Sequence, residues 1–492
     1  MQLWKLKDIY LGEPDGKKEA TYKPNFDDFF LNYNSIYEKA TDQKTYLIIG
    51  AKGSGKTFLA ELIKKKECAI SKHFCEIISY KRLKYQEFIH FSNGDISPNQ
   101  YTSIWEWAIL IEIAKQLVKC ANKEGSFTED CIRLKEFLEA NTFELDIGAD
   151  KILEITKGKH IQGEALLGVL KGEGGYSEDQ KAEKGNYIQY VTALRERVLR
   201  TIECSWSQFT LIIDELDDHF RAVDICKHSI ISLIKVVDDL NLEMLRLGTT
   251  NKIIVLLRSD IFGVLGDSDL NKIRQGNSLT ISWGNKNDAS SPLFDLIFQK
   301  VKASVPLLLE TSRDQMFDLL LMKDNGHNRT SLRWLLSRTL LRPRDLINYL
   351  RILQNSNMEK DSFEYSEFNR LERDYSICFL DECKDGLVGH FPQEIIDLFF
   401  RLLKKMGKPE FTYEELESIF LKNPRFEPLG DLETLLEQMF DFDIIGNRNI
   451  QTGHFDWHYR DNLAYFKSDE NIVVHAGLRK ALGLDNRVNM PR

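Results

Sequence analysis

Five short segments in the first 290 residues are rich in apolar and β-branched side chains, a pattern that predicts β-strands. They are Tyr46–Ile49, Phe74–Ser79, Phe209–Ile213, Lys252–Leu257 and Ser278–Trp283. Stretches with apolar residues at helical spacing separate these segments, among them 101–120, 187–203 and 227–246. Strands that alternate with helices indicate a parallel sheet in a layered α/β domain.

Beyond about residue 290 the pattern becomes helical. Leu341–Leu350 predicts a helix with Pro343 in its first turn, where proline is favoured. Three amphipathic segments follow from 394 onward, the second opened by a Thr412-x-x-Glu415 capping box, and an apolar segment then begins at Ile444. Three helices and a hairpin are typical of a winged helix. We therefore predict an α/β domain, a helical lid and a winged-helix-like domain over 1–289, 290–387 and 388–492.

A glycine-rich stretch, 145–178, fits neither a single helix nor a strand. Its glycines separate short apolar pieces such as Ala165-Leu166-Leu167. We interpret it as an exposed insertion in the α/β domain. It is either a surface loop or an arm that contacts a neighbouring subunit or another protein.

The first predicted strand runs into a complete phosphate-binding motif. Gly50-Ala51-Lys52-Gly53-Ser54-Gly55-Lys56-Thr57 is a G-x-x-x-x-G-K-T loop, and a helical stretch starting at Phe58 follows it. The glycines let backbone N–H groups turn toward phosphate oxygens, Lys56 adds a positive charge, and Thr57 offers a hydroxyl to Mg²⁺. The loop from Gly50 to Phe58 is the predicted nucleotide site.

Two adjacent acids end the apolar strand at 209–213. Asp214 is in the position to hold the water shell of Mg²⁺, and Glu215 is in the position to polarise an attacking water. This pairing predicts hydrolysis rather than binding alone.

The composition of the chain argues against several classes of protein, namely those that bind nucleic acid by overall charge, span a membrane or are secreted. The net charge of −9 argues against a chain that binds nucleic acid through its overall charge. The apolar fraction of 42% is typical of a globular protein. No apolar stretch reaches the about 18 residues of a membrane span, and the first residues lack the apolar region of a secretory signal. The eight cysteines form no C-x-x-C pair, so we expect reduced thiols in a cytoplasmic protein.

These motifs together resemble the AAA-type and STAND-type P-loop ATPases, including the origin-recognition branch. The resemblance implies strand order 5-1-4-3-2, ATP and Mg²⁺ as ligands, and a lid helix whose P-R-x-L motif, here starting at Pro343, supplies a sensor 2 arginine, Arg344. More narrowly, the chain is similar to a bacterial P-loop ATPase family that recurs in phage-defence and mobile gene neighbourhoods. The similar segments are Asp8–Gly12, Leu257–Phe262, Asn271–Arg274, Arg342–Ile347 and Val474–Leu482.

The chain also departs from the pattern of these ATPases. Arg258 and Ser259 stand after the fourth strand, where an Asn or Thr sensor 1 is usual, and Ser259 is the nearest equivalent for contacting nucleotide. The segment Asn271–Arg274 ends in arginine rather than the aspartate of a guanine box, so adenine is predicted. The third winged-helix segment carries only acids as charged residues, at 431, 433, 437, 441 and 443, and would repel DNA phosphates.

Three arginines are candidates for stabilising the transferred phosphoryl group. The resemblance assigns Arg344 to the chain's own lid, whereas Arg258 or Arg274 would act from a neighbouring subunit. For these two, a structural salt bridge is the alternative. No nuclease or protease constellation stands out, so we expect a homo-oligomeric ATPase switch that controls a separate effector protein. The alternative is a DNA loader or translocase, which the arginines between 329 and 351 would support.

Overall fold

The computed structural model describes residues 4–79, 98–140, 187–205, 207–216, 220, 223–321 and 329–484. The predicted insertion at 145–178 lies outside these residues. The chain divides into two compact units. We call them the α/β unit (Ser35–Gly50 and Lys56–Ile281) and the helical unit (Met1–Asn34, Ala51–Gly55 and Ser282–Arg492). No helix in the described ranges is long and apolar enough to cross a membrane.

The elements of both units are named here in chain order. The strands are β1 (Leu47–Gly50), β2 (His73–Ser79), β3 (Gln208–Asp214), β4 (Lys252–Arg258), β5 (Ser278–Ile281), β6 (Glu410–Phe411), β7 (Ile445–Arg448), β8 (Phe455–Asp456) and β9 (Asn471–Val474). The helices are α1 (Gly16–Tyr22), α2 (Ile36–Thr41), α3 (Lys56–Glu67), α4 (Pro98–Glu124), α5 (Glu129–Ala140), α6 (Tyr187–Cys204), α7 (Asp224–Arg246), α8 (Ser259–Val264), α9 (Ser268–Asn277), α10 (Pro292–Ser304), α11 (Arg313–Leu320), α12 (Arg329–Leu336), α13 (Pro343–Ser356), α14 (Tyr365–Leu387), α15 (Gln393–Met406), α16 (Tyr413–Leu421), α17 (Leu432–Asp441) and α18 (Arg479–Leu482).

The α/β unit is built on a parallel sheet of order β2-β3-β4-β1-β5. This confirms the predicted order 5-1-4-3-2, read from the other edge. Every residue of β1 and β4 is buried, as the continuous apolar runs require, while the outer strands β2 and β5 are partly exposed. The register brings the carboxyl ends of the strands together, since Gly50 pairs with both Arg258 and Ile281.

One strand is shorter than predicted. Strand β5 ends at Ile281, two residues before Trp283. Within the described residues it pairs with β1, which ends opposite Ile281 at Gly50 and becomes the phosphate loop. Beyond Ile281 the chain therefore passes the end of β1, the strand with which it pairs in the part of the chain that the structure describes, and Trp283 makes a side-chain contact instead, described below.

The helical unit has its own hydrophobic core, which extends from Trp4 in the N-terminal segment to Leu484. Pro343 is the first residue of α13, and Thr412 and Glu415 form a capping box at the start of α16, as predicted. Strand β6 lies between α15 and α16, and β7 to β9 follow α17; together these strands form an antiparallel sheet of order β6-β9-β7-β8. This arrangement confirms the winged-helix-like fold.

Candidate nucleotide site

The phosphate loop takes a backbone path that needs glycine at two positions. Gly53 has a φ of 83° and Gly55 a φ of 102°, which L-residues with a side chain rarely adopt. A Cβ added at Gly53 would also lie 3.0 Å from the Cβ of Arg344. At Gly55 nothing lies within 4 Å of the added carbon. Gly53 is therefore required by torsion and by close packing, and Gly55 by torsion.

Two carbonyls of the loop are satisfied by groups of the loop itself. The Lys56 ammonium donates to the Gly50 carbonyl at 2.7 Å, and the Ser54 backbone N–H donates to the Ala51 carbonyl at 3.1 Å. A loop that turns its N–H groups inward must turn carbonyls outward, and those carbonyls need donors.

Two further carbonyls receive donors from more distant parts of the helical unit. The backbone N–H of Arg344, at the start of α13, donates to the Gly53 carbonyl at 3.4 Å. The indole N–H of Trp283 donates to the Ser54 carbonyl at 2.9 Å. The loop tip is thus braced by two residues that are far from it in sequence.

The loop fits a polyphosphate ligand. The Ser54 hydroxyl is buried and has no hydrogen-bond partner among the described residues, so a bound oxygen would satisfy it. Helix α3 begins at Lys56, so the positive end of the helix dipole and the Lys56 charge both favour an anion at the loop. The three consecutive lysines of α3 lie in its last turn, at the other end of the helix. Phe58 is half-buried in the first turn of α3.

Thr57 and Asp214 meet at the position where the metal is predicted. The Thr57 hydroxyl donates to a carboxylate oxygen of Asp214 at 2.8 Å, and the other oxygen accepts from the backbone N–H of Glu215, also at 2.8 Å. Burial raises the pKa of the Asp214 carboxyl, while the Thr57 hydroxyl and the nearby Lys56 charge act in the opposite direction. A hydroxyl and a carboxylate side by side are hard oxygen ligands, which fit Mg²⁺.

Glu215 is held in an unusual conformation just beyond β3. Its φ is 62°, in the left-handed region that costs a non-glycine residue about 1 kcal/mol or more. The Ser79 hydroxyl, at the end of β2, donates to its carboxylate. Ser79 pairs in register with Asp214, so the parallel sheet itself brings the hydroxyl beside the two acids. Strain held by a specific contact at the tip of a strand is typical of a functional residue.

Arg258 lies at the end of β4, beside the first glycine of the loop. Its guanidinium makes two hydrogen bonds to the Asp260 carboxylate, at 3.0 and 2.6 Å, and its side chain is 9% exposed. Ser259 is exposed and starts the short helix α8. The salt bridge to Asp260 is the structural alternative named above for Arg258.

Arg274 lies toward the amino-terminal ends of the strands, whereas the loop begins at their carboxyl ends. It belongs to the last turn of α9, four residues before β5 starts. The first residue of β5, Ser278, pairs with Leu47 at the start of β1, whereas the loop follows the end of β1. Arg274 is exposed, and its guanidinium lies 6.0 Å from the ring centre of Phe262. Arg258 and Arg274 therefore differ in burial and in the end of the strands at which they lie.

Arg344 borders the loop through its backbone, but its side chain is engaged elsewhere. The guanidinium donates to the Pro14 carbonyl at 3.1 Å and to the Glu382 carboxylate at 3.2 Å. Pro14 belongs to the N-terminal segment and Glu382 to α14, so the predicted sensor arginine connects three parts of the helical unit.

Sequence reasoning missed Ser79 and Trp283. Ser79 was visible as the polar last residue of a predicted strand, but its pairing with Asp214 depends on which strands are neighbours. Trp283 falls within the predicted fifth strand, although β5 ends at Ile281, and nothing in the local sequence indicates a contact with a residue 229 positions away.

Comparisons with known proteins give a partial picture. A family model described as the FunZ-associated C-terminal helical domain matches residues 291–383, a segment of the helical unit from α10 into α14. The structure of the Aeropyrum pernix ORC1 protein in complex with DNA covers 94% of this chain and 92% of its own at 12% identity, with a TM-score of 0.37. The structure of Drosophila ORC bound to DNA covers 93% and 85% at 10% identity, with a TM-score of 0.29. No curated protein matches the chain.

Proposed function

We propose that this chain is a Mg²⁺-dependent ATPase that works as a switch. The observation that supports it most directly is the hydrogen-bonded chain of Thr57, Asp214 and Glu215 beside a phosphate loop of full sequence. Bound Mg²⁺ would supply positive charge to the β- and γ-phosphates. Thr57 and Asp214 would hold it, and the loop N–H groups with Lys56 would hold the phosphates.

Glu215 is the proposed base for the attacking water. A carboxylate next to the metal-holding acid can accept the proton that water loses as it attacks. The Ser79 hydroxyl bond to Glu215 supports a switch, because a bound base is restrained until that contact changes. Arg344 is the proposed lid contact to nucleotide, since its backbone already borders Gly53 and its side-chain bonds to Pro14 and Glu382 can exchange for a phosphate.

We propose that the ATPase works as a homo-oligomer. Arg274 is exposed and lies toward the amino-terminal ends of the strands, away from its own loop, so it is better suited to a neighbour's nucleotide than Arg258, which is buried against Asp260. ATP would then order the interface, and hydrolysis would release it. Control of an effector protein in anti-phage defence extends this proposal and depends on the family resemblance.

The DNA-handling alternative receives less support. Four arginines of the 329–351 region are paired with carboxylates, as Arg338–Glu372, Arg342–Asp345, Arg344–Glu382 and Arg351–Glu13. Paired arginines offer less positive charge to phosphates. The charged residues of α17 and its N-cap are all acidic. DNA binding that weakens steeply as salt rises would revive this alternative.

Two matched variants test the ATPase proposal. Lys56→Ala should abolish binding of a fluorescent ATP analogue and hydrolysis, because the charge at the phosphates is lost while the loop backbone stays. Glu215→Gln should bind ATP like the wild type and hydrolyse it about 10²–10⁴-fold more slowly, because the amide cannot accept a proton. Lys65→Ala, two turns along α3, serves as the control for loss of a lysine. Wild-type turnover in both test variants would refute the proposal.

A further inference from the structure

Trp283 is placed against the phosphate loop by two contacts. Its indole N–H donates to the Ser54 carbonyl at 2.9 Å. Its ring stacks on Tyr33, with 5.8 Å between ring centres and 13° between the planes. Both aromatic rings are half-buried. One edge of the indole is therefore aimed at the loop, and one face is held by a second aromatic ring.

Planarity of the peptide bond gives this contact a consequence for the loop. The Ser54 carbonyl and the Gly55 N–H belong to the same trans peptide unit, so they point in opposite directions. Because the Trp283 indole holds the Ser54 carbonyl toward itself, the Gly55 N–H is directed away from Trp283. Gly55, with a φ of 102° and open space around its α-carbon, has no side chain to restrain this peptide.

We infer that Trp283 is a positioning residue of the phosphate loop, which holds the Ser54 carbonyl so that the Gly55 N–H faces a phosphate oxygen. This inference depends on the proposed nucleotide binding. Other loop carbonyls are held by the Lys56 side chain, the Ser54 N–H and the Arg344 N–H. Trp283 supplies this restraint to the Ser54–Gly55 peptide, which is one residue before the peptide that joins Gly55 to Lys56.

The backbone at Tyr33, which carries the stacking ring, is constrained on both sides. Its N–H donates to the Leu31 carbonyl at 2.8 Å, and the next two residues, Asn34 and Ser35, both have a φ of 54°. Two consecutive left-handed residues turn the chain sharply just after Tyr33. Tyr33 thus limits the rotation of the indole and keeps its N–H directed at the loop.

The test is Trp283→Phe, which keeps an aromatic ring for stacking and removes the donor. Titration with fluorescent ATP and ADP analogues should show both dissociation constants raised about fivefold, the usual effect of one neutral hydrogen bond. At saturating ATP, turnover should stay within about twofold of the wild type, because the interaction is the same in ground and transition states. Trp334→Phe is the control, a half-buried tryptophan of the same unit that stacks with Arg338.

Equal dissociation constants for Trp283→Phe and Trp334→Phe would overturn the inference. A fall in turnover with unchanged affinity would also overturn it. Lys56→Ala in the same titration separates the two proposals: if it binds ATP normally, the nucleotide site itself is wrong. If Trp283→Phe does not fold, Tyr33→Leu should raise both constants at least twofold, with exposed Tyr22→Leu as its control, and an unchanged affinity then refutes the positioning role.

Discussion

Asp443 lies between α17 and β7, and we expect Asp443→Asn to stabilise the protein increasingly as pH rises. Its side chain is buried, with 8% of the residue exposed, and its φ is 59°. Burial raises the pKa of its carboxyl from 3.8 to about 8, although the Tyr459 N–H, which donates to it at 2.8 Å, and the nearby Arg342 charge favour the ionised form. At neutral pH the folded protein therefore keeps this carboxyl protonated.

The magnitude follows from proton linkage. Below about pH 4 the carboxyl is protonated in both states, and its contribution to stability is fully present. Between about pH 4 and pH 8 the unfolded chain loses this proton and the folded one keeps it. The free energy of unfolding then falls by about 1.4 kcal/mol per pH unit and levels off once pH passes the folded pKa. An asparagine has nearly the same shape, tolerates the left-handed backbone and has no proton to lose.

Urea unfolding of the wild type and Asp443→Asn at pH 5, 6 and 7 measures this slope. The stability difference between the two proteins should grow in favour of the variant by about 1.4 kcal/mol at each step. Asp469→Asn, at an exposed position, is the control and should show no such trend. A stability difference that is constant over this range would refute the reasoning, because it would mean that the Asp443 carboxyl has the same proton affinity in both states.

Two further predictions concern catalysis. Ser79→Ala should leave ATP affinity unchanged and raise turnover a few-fold, since the Glu215 carboxylate would no longer be engaged by the Ser79 hydroxyl and could turn to the attacking water; equal or lower turnover would show that the bond positions Glu215 rather than restrains it. Mixing inactive Lys56→Ala subunits with Arg274→Ala subunits should restore part of the ATPase activity, because one supplies the arginine and the other an intact loop. No recovery at any mixing ratio would exclude a role for Arg274 across subunits.

The candidate site was predictable where its chemistry lies in consecutive residues. The loop from Gly50 to Thr57 needs glycine at fixed offsets for its torsions, and those torsions are observed at Gly53 and Gly55. Asp214 and Glu215 follow a buried strand directly, so the end of that strand fixes their position. The strand order was inferred from the resemblance of these motifs to known ATPases, because periodicity alone predicts strands but not which of them are neighbours.

The partners of the arginines could not be predicted in the same way. Arg258 pairs with Asp260 two residues away, whereas Arg351 pairs with Glu13 from the N-terminal segment. A run of arginines looks like a nucleic-acid surface in the sequence, and only packing brings the carboxylates of distant segments to Arg338, Arg344 and Arg351. The length of β5 was also decided by its neighbour, since β1 ends where the loop begins.

The sequence by itself determined the class of fold, the phosphate loop and the acid pair, because each depends on local torsion preferences and on burial patterns along one stretch of chain. The tertiary structure alone decided that Ser79 bonds Glu215, that Trp283 holds Ser54, and that Asp443 is buried. The two hydrogen bonds join residues that are far apart in the chain, and the burial of Asp443 depends on the residues packed around it. Their energies depend on distance, direction and loss of solvent. Such quantities exist only once the sheet register and the packing of the helices are set.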